Sequence, residues 1–281
     1  MRLATRDRPS PRPAIVQRIT SRNNPRLKEA TRLVASARDR RKAGKCVLEG
    51  EHLVAVYAAR FGPPETLIVT SDAMARPAVR ALADRHADRT LIVPAALFGE
   101  LATLPAGVGM MAVVATPTAG PPDPAGFCLL LDDVQDPGNV GSMLRSAAAA
   151  GVERVLLSKR CAFAWSPKVL RAGQGAHFCV AIHEDVDLPA WARTYRNAGG
   201  NVIASVATGG TNLHDARLAG LIAVAIGSEG AGLSPALVAC ATMRLTIPMA
   251  RGVESLNAAA AAAVLLFECV RQRAAVDTAT A

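Results

Sequence analysis

Apolar positions recur along this 281-residue chain in two rhythms. Leu27, Ala30, Leu33 and Val34 share one helical face while Arg and Lys fill the other. The spacing predicts a helix over 24–44, opened by Asn24 with Pro25 in its first position. A short strand over 46–48 and a helix over 51–60 follow. Compact apolar runs at 66–70, 90–93 and 110–115 predict strands, with Ser71 or Asp72 capping an intervening helix that reaches about residue 83. The stretch TPTAGPPDPAG (116–126) continues neither rhythm, because its prolines and glycines suit no regular element; a linker is expected there. Further on, apolar runs at 128–131, 154–157, 178–182, 201–206, 221–226 and 243–247 alternate with helical segments of crossover length. Continuous apolar strands of this kind suit a parallel sheet covered on both faces. An Ala-rich helix is expected over 255–273. The pattern gives two α/β domains: a smaller one over 15–116 and a parallel-sheet one over 127–273, joined by 117–126, with tails at 1–14 and 274–281.

Composition narrows the class. Hydrophobic residues make up 51 % of the chain and aromatics 4 %, so it is globular with a core built mainly from Ala, Val and Leu. The net charge of +9 is uneven: residues 1–45 hold fourteen Lys and Arg against three acidic residues, leaving the remainder slightly acidic. A basic arm on a near-neutral body is the electrostatic footprint of a nucleic-acid partner. None of the six cysteines (46, 128, 161, 179, 240 and 269) forms a C-x-x-C pair, and the five histidines are scattered. Buried free thiols in a reducing compartment are expected, with no metal site. The apolar run 258–267 is too short to cross a bilayer, and residues 1–14 lack the apolar core of a secretory signal. A cytoplasmic protein with a disordered N-terminal tail is expected.

Three loops follow apolar strands, where open parallel sheets place their ligands. The first, DDVQDPGNVGSMLR (132–145), lacks both the P-loop lysine and the G-x-G-x-x-G fingerprint. Gly138 and Gly141 would bring backbone close to a neighbour, and Asn139 and Arg145 supply polar heads; alone, it reads equally as a helix start. The second, AIGSEGAGL (225–233), has three glycines in six positions that expose peptide groups to a ligand. The third, IPMARGVESLN (247–257), runs into the final helix, where Ser255 is either a cap or part of a polar pocket with Asn257.

Together and in this order, these loops closely resemble the three motifs of the SpoU (TrmH-type) RNA ribose methyltransferases of the SPOUT superfamily. The segment SPKVLRAGQGAHF (166–178) is similar to that family between its first two motifs, and ITSRNNPRLK (19–28) with LEGEHL (48–53) resembles its RNA-binding domain. The likeness covers about residues 15–273. Arg251 and the Ala258-Ala259 pair depart from the family pattern without removing a polar head.

The resemblance implies an α/β fold whose C-terminal segment threads a loop as a deep trefoil knot, plus a smaller ribosomal-protein-like RNA-binding domain. It implies S-adenosylmethionine as cofactor, held by Ile226, Gly227, Ser228, Gly230, Ile247, Met249, Leu256 and Asn257. Methyl transfer to a ribose 2′-hydroxyl would rest on Arg145, Asn139, Glu229, Ser255 and Asn257. A free arginine is a poor base, so Arg145 is either deprotonated by its site or stays charged to stabilise an alkoxide and a phosphate. Arg22, Arg26, Lys28, Arg32, Arg40, Arg41 and Lys42 would contact RNA phosphates, which position a strand without reading it. The implied partners are large-subunit (23S) ribosomal RNA, with transfer RNA second, and a second copy of the chain in a homodimer. A non-catalytic RNA-binding assembly factor is the rival; it would lack the Arg, Glu or Asn heads present here.

Overall fold

The computed structural model describes residues 16–102 and 108–280, without the side chains of 275–280. The tail expected over residues 1–14 lies outside them. The first unit runs β1 (Gln17–Arg18), α1 (Pro25–Ala35), α2 (Ala37–Ala43), β2 (Lys45–Glu49), α3 (Glu51–Phe61), β3 (Thr66–Thr70), α4 (Pro77–Arg85), β4 (Thr90–Val93), α5 (Ala95–Gly99) and β5 (Met110–Ala115). Its five strands order as β1-β4-β3-β5-β2, with β5 antiparallel to both β2 and β3. Every residue of β3 is buried, as a central strand covered on both faces requires.

Two details depart from the periodicity. The helix expected over 24–44 is broken at Ser36, whose backbone is extended and whose hydroxyl accepts from Asp39 N at 3.1 Å, opening a new helix. Neither Ser71 nor Asp72 caps α4; its first residue is Pro77 and Arg76 precedes it without a side-chain cap.

The second unit runs β6 (Cys128–Asp132), α6 (Pro137–Ala149), β7 (Arg154–Leu157), α7 (Pro167–Gly173), β8 (Ala181–His183), α8 (Leu188–Asn197), β9 (Asn201–Ser205), β10 (Thr211–Asn212), β11 (Ile222–Gly227), α9 (Pro235–Cys240), β12 (Met243–Thr246) and α10 (Ala258–Thr280). Seven strands, all parallel, order as β10-β12-β9-β11-β6-β7-β8. The run at 178–182 is strand only from Ala181; residues 176–178 form a 3₁₀ turn. The final helix starts at Ala258 rather than 255 and continues to Thr280, through the stretch expected as a tail from 274.

Register sets the site. Gly227 at the end of β11 lies opposite Asp132 at the end of β6, and Leu245 of β12 lies opposite Ser205 of β9. Four chain segments therefore leave the carboxyl edge of the sheet side by side.

The two units share a core. A buried cluster runs from Cys46, Leu48 and Val54 through Tyr57 to Phe178, Trp165 and the face of β6. Tyr57 meets Phe178 edge-on with centroids 5.5 Å apart, and Phe61 meets it at 5.8 Å. Such pairs add about 0.5–1.5 kcal/mol beyond the area they bury, enough to fix the seam between the units. Among the described residues no helix is long and apolar enough to cross a membrane, and no cluster could hold a metal ion.

Candidate active site

Asn139 is the residue around which the site assembles. Asp136 precedes α6 and its carboxylate accepts from Asn139 N at 2.7 Å, with Pro137 in the first turn. Fixed there, the Asn139 amide donates to the Glu229 carboxylate and accepts from Asn257 Nδ2 at 3.0 Å. Asn257 in turn caps α10: its Oδ1 accepts from Ala259 N at 2.9 Å and Ala260 N at 3.2 Å. The cap expected at Ser255 is thus Asn257. Three residues from three separate motifs form one hydrogen-bonded chain, in which each amide is oriented by its neighbours.

The glycine-rich loop is closed by its own backbone. Ser228 and Gly232 exchange two peptide bonds, Ser228 N to Gly232 O at 3.1 Å and Gly232 N to Ser228 O at 2.9 Å. A Cβ on Gly227 would sit 2.0 Å from the carbonyl carbon of Gly232, so only glycine allows this closure. Beyond the turn, Ser234 N donates to the buried Asp132 carboxylate at 2.7 Å, tying the loop to the end of β6.

Between this loop, the segment 247–257 and the residues after β9 lies a cleft of about 700 Å³. Every residue expected to hold the cofactor lines it: Ile226, Gly227, Ser228, Gly230, Ile247, Met249, Leu256 and Asn257, joined by Glu229 and Ser255. Sequence reasoning missed the third wall, Val206, Ala207 and Thr208; their only sequence signal is that they lie at the end of an apolar run. Apolar side chains (Val206, Ile226, Leu233, Ile247) interleave with peptide edges and hydroxyls (Ser228, Thr208) along the lining. Such a mixture suits an adenine, a ribose and an amino-acid tail, and the volume is that of small-ligand sites generally. The residues present fit S-adenosylmethionine.

Arg145 lies outside this network. It is exposed on α6 and makes no hydrogen bond or ion pair among the described residues. The two glycines of the first motif serve the fold: a Cβ on Gly141 would meet Ala172 Cβ at 2.4 Å and Val169 O at 2.6 Å, so this glycine lets α6 lie against α7. Gly138 clears only the Asp136 cap.

The cations of the first unit divide. Lys28, Arg32, Arg41 and Lys42 are exposed, and Arg22, also exposed, pairs with Glu100 at 2.6 Å. Arg26 is instead half-buried and donates to Thr66 Oγ1 at 3.1 Å and Arg89 O at 2.6 Å, pinning α1 to the sheet. Arg40 is 5 % exposed and donates to Leu33 O and, at 3.0 Å, to Val34 O. Both spend donors on backbone carbonyls of the fold, a use the charge pattern did not signal.

These loops on a seven-stranded parallel sheet define an α/β domain with a small-ligand cleft at the carboxyl edge of its strands. Residues 126–267 match the SpoU rRNA Methylase family and residues 24–112 match an MRM3-like substrate binding domain, and the chain belongs to that SpoU family. It is 35 % identical to an uncharacterized tRNA/rRNA methyltransferase, slr1673, of Synechocystis, over 92 % of this chain and 96 % of the relative. It is 37 % identical to the 23S rRNA (guanosine(2553)-2′-O)-methyltransferase RlmP of Bacillus subtilis, over 50 % of this chain and 56 % of RlmP. The SpoU methyltransferase AviRb of Streptomyces viridochromogenes, solved in complex with the cofactor AdoMet, superposes with a TM-score of 0.77 at 27 % identity, covering 89 % of this chain and 98 % of AviRb.

Proposed function

We propose that this protein transfers a methyl group from S-adenosylmethionine to a ribose 2′-hydroxyl of RNA, with large-subunit ribosomal RNA as its target. The observation that carries this reading is the Asn139–Glu229–Asn257 chain beside a cleft lined by every residue expected to hold the cofactor. The relatives' activities and the AviRb complex with AdoMet support it. Bound in the cleft, S-adenosylmethionine supplies an electrophilic methyl group. The chain's own residues orient and stabilise: the loop 227–232 and the segment 247–257 hold the donor, and the linked amides fix the wall against which a ribose lies. Arg145, free of internal partners, holds the reacting oxygen and a neighbouring phosphate, where charge develops.

The protein works as a homodimer. Val264 and Phe267, 40 % and 48 % exposed, stand one turn apart on α10, which packs against α6, the helix that carries Arg145. A second copy covering that apolar pair would bring its own residues towards Arg145. The C-terminal segment beyond β12 is threaded as the family's trefoil knot, and the protein acts in the cytoplasm.

Mapping 2′-O-methylation across ribosomal and transfer RNA in cells with and without the gene tests the reading. One lost site in 23S ribosomal RNA is expected. A lost transfer RNA site would move the target, and no lost site in either would sink the proposal.

A further inference from the structure

A second cavity, of about 440 Å³, opens at the seam between the two units, apart from the cofactor cleft. Its floor is apolar, from Val34 at the end of α1, Pro137 at the start of α6 and Phe163. Its rim is cationic: Lys168 and Arg171 of α7 are exposed and form no ion pair among the described residues. Among the described residues no Asp or Glu lines it. Arg40 also lines it, and its Nε is buried without an acceptor among the described residues. The same Arg40, with Arg41, lies over the Phe163 ring at 5.5 and 4.3 Å and holds that ring at the seam.

We infer that this cavity is a nucleotide subsite, taking an unstacked nucleotide of the RNA next to the one that is methylated. It rests on the proposed RNA substrate. An apolar slot with unpaired donors and cations at its edge suits a splayed base and its phosphate. The cavity also reaches the helix that carries the site: Pro137, which lines it, opens α6, and Asn139 follows two residues on. This gives a task to the segment 166–178, which the cofactor cleft does not use. It also makes substrate choice depend on both units, because neither lines the cavity alone.

Two variants of the full chain decide it. Lys168→Gln/Arg171→Gln removes the rim charge, and Val34→Trp fills the floor without touching charge. The probe is a fluorescein-labelled 12-nucleotide single-stranded RNA read by anisotropy across a salt series, with S-adenosylmethionine calorimetry as the check on folding. The charge variant is expected to bind about tenfold more weakly, its salt slope reduced by about 1.4, two contacts at roughly 0.7 each. The Val34→Trp protein is expected to weaken by a similar factor with its slope unchanged. Wild-type affinity in a cofactor-binding Val34→Trp protein, or an unchanged slope in the charge variant, would overturn the subsite. Should Val34→Trp not fold, the charge variant decides alone. Methyl transfer by the wild type to an unmodified 23S transcript is measured separately: its absence counts against the enzymatic reading, while the anisotropy still decides the cavity.

Discussion

The cleft at the carboxyl edge of the seven-stranded sheet and the α1–α2 arm beside the five-stranded sheet use polar residues in opposite ways. Beside the cleft, Asn139, Glu229 and Asn257 form one hydrogen-bonded chain across 118 residues of sequence. In the arm, cations a few residues apart have separate fates: Arg26 and Arg40 turn inward to carbonyls, Arg41 lies over the Phe163 ring, and Lys28, Arg32 and Lys42 face solvent. Strand ends force motif residues together, whereas charge density on a helix says nothing of which cation the fold consumes. An arginine has five donors and a long apolar stem, so it caps buried carbonyls as readily as it meets a phosphate.

The contrast is broken most sharply at Arg145, the cleft-side cation that behaves like an arm residue. Arg145→Ala should lower methyl transfer by about 10²–10³-fold, the usual loss for one donor to developing charge, with cofactor affinity unchanged by calorimetry. Near-normal turnover would remove Arg145 from the chemistry. Next comes Gly227→Ala. Its Cβ would collide with backbone at Gly232, and relief should cost about 1–3 kcal/mol, seen as cofactor binding weakened roughly 10- to 100-fold.

Within the arm, two variants should separate. Arg40→Met loses both bonds to the end of α1 and should unfold about 1–3 kcal/mol more easily in urea. Lys28→Gln/Arg32→Gln should leave stability within about 0.5 kcal/mol and reduce the salt slope of RNA binding by about 1.4. If the two variants exchanged these effects, the division of the arm would be wrong.

The smallest effect concerns the seam. Glu184 accepts from Ala164 N at 2.9 Å, and burial pushes its carboxyl up to about 7 from an ordinary 4.5. The folded chain then holds a proton that the unfolded chain has released. That stability is full below pH 4.5 and is lost as pH rises through 7. His177, whose Nε2 meets Ala164 O at 2.8 Å, has the opposite sign: burial holds it down at about 4, so its contribution is present above pH 6.5 and lost as pH falls through 4. Glu184→Gln should therefore gain about 1–2 kcal/mol over the wild type between pH 5 and pH 8, discounted for its partial exposure, as read from melts at both values. An equal difference at both would exclude this titration.

The parts legible in the sequence are those encoded locally. The strands at 66–70, 90–93 and 154–157 stand where their apolar runs put them, because a central strand needs only a short continuous run. The three motif loops converge as expected. What failed was non-local. Ser36 breaks a helix whose apolar face continues across it, since its hydroxyl finds Asp39 N. The burial of Arg40 depends on Phe163, which lies on the other unit. Gly141 answers to α7 rather than to a ligand, and nothing in DPGNVG distinguishes these uses. The wall at 206–208 carries neither glycine nor charge and so gave no signal.

The reach of Asn257 has a consequence in time. Asn139 finds its second partner 118 positions later, in the residue that starts the final helix. The first unit and the paired strands β6, β7 and β8 can form while synthesis continues, because domains fold as units from the N-terminus. The polar chain cannot close until Asn257 has been made, and such distant pairings are slow. A nascent chain, or one clipped before Asn257, would carry the exposed cations of the α1–α2 arm without a closed cleft.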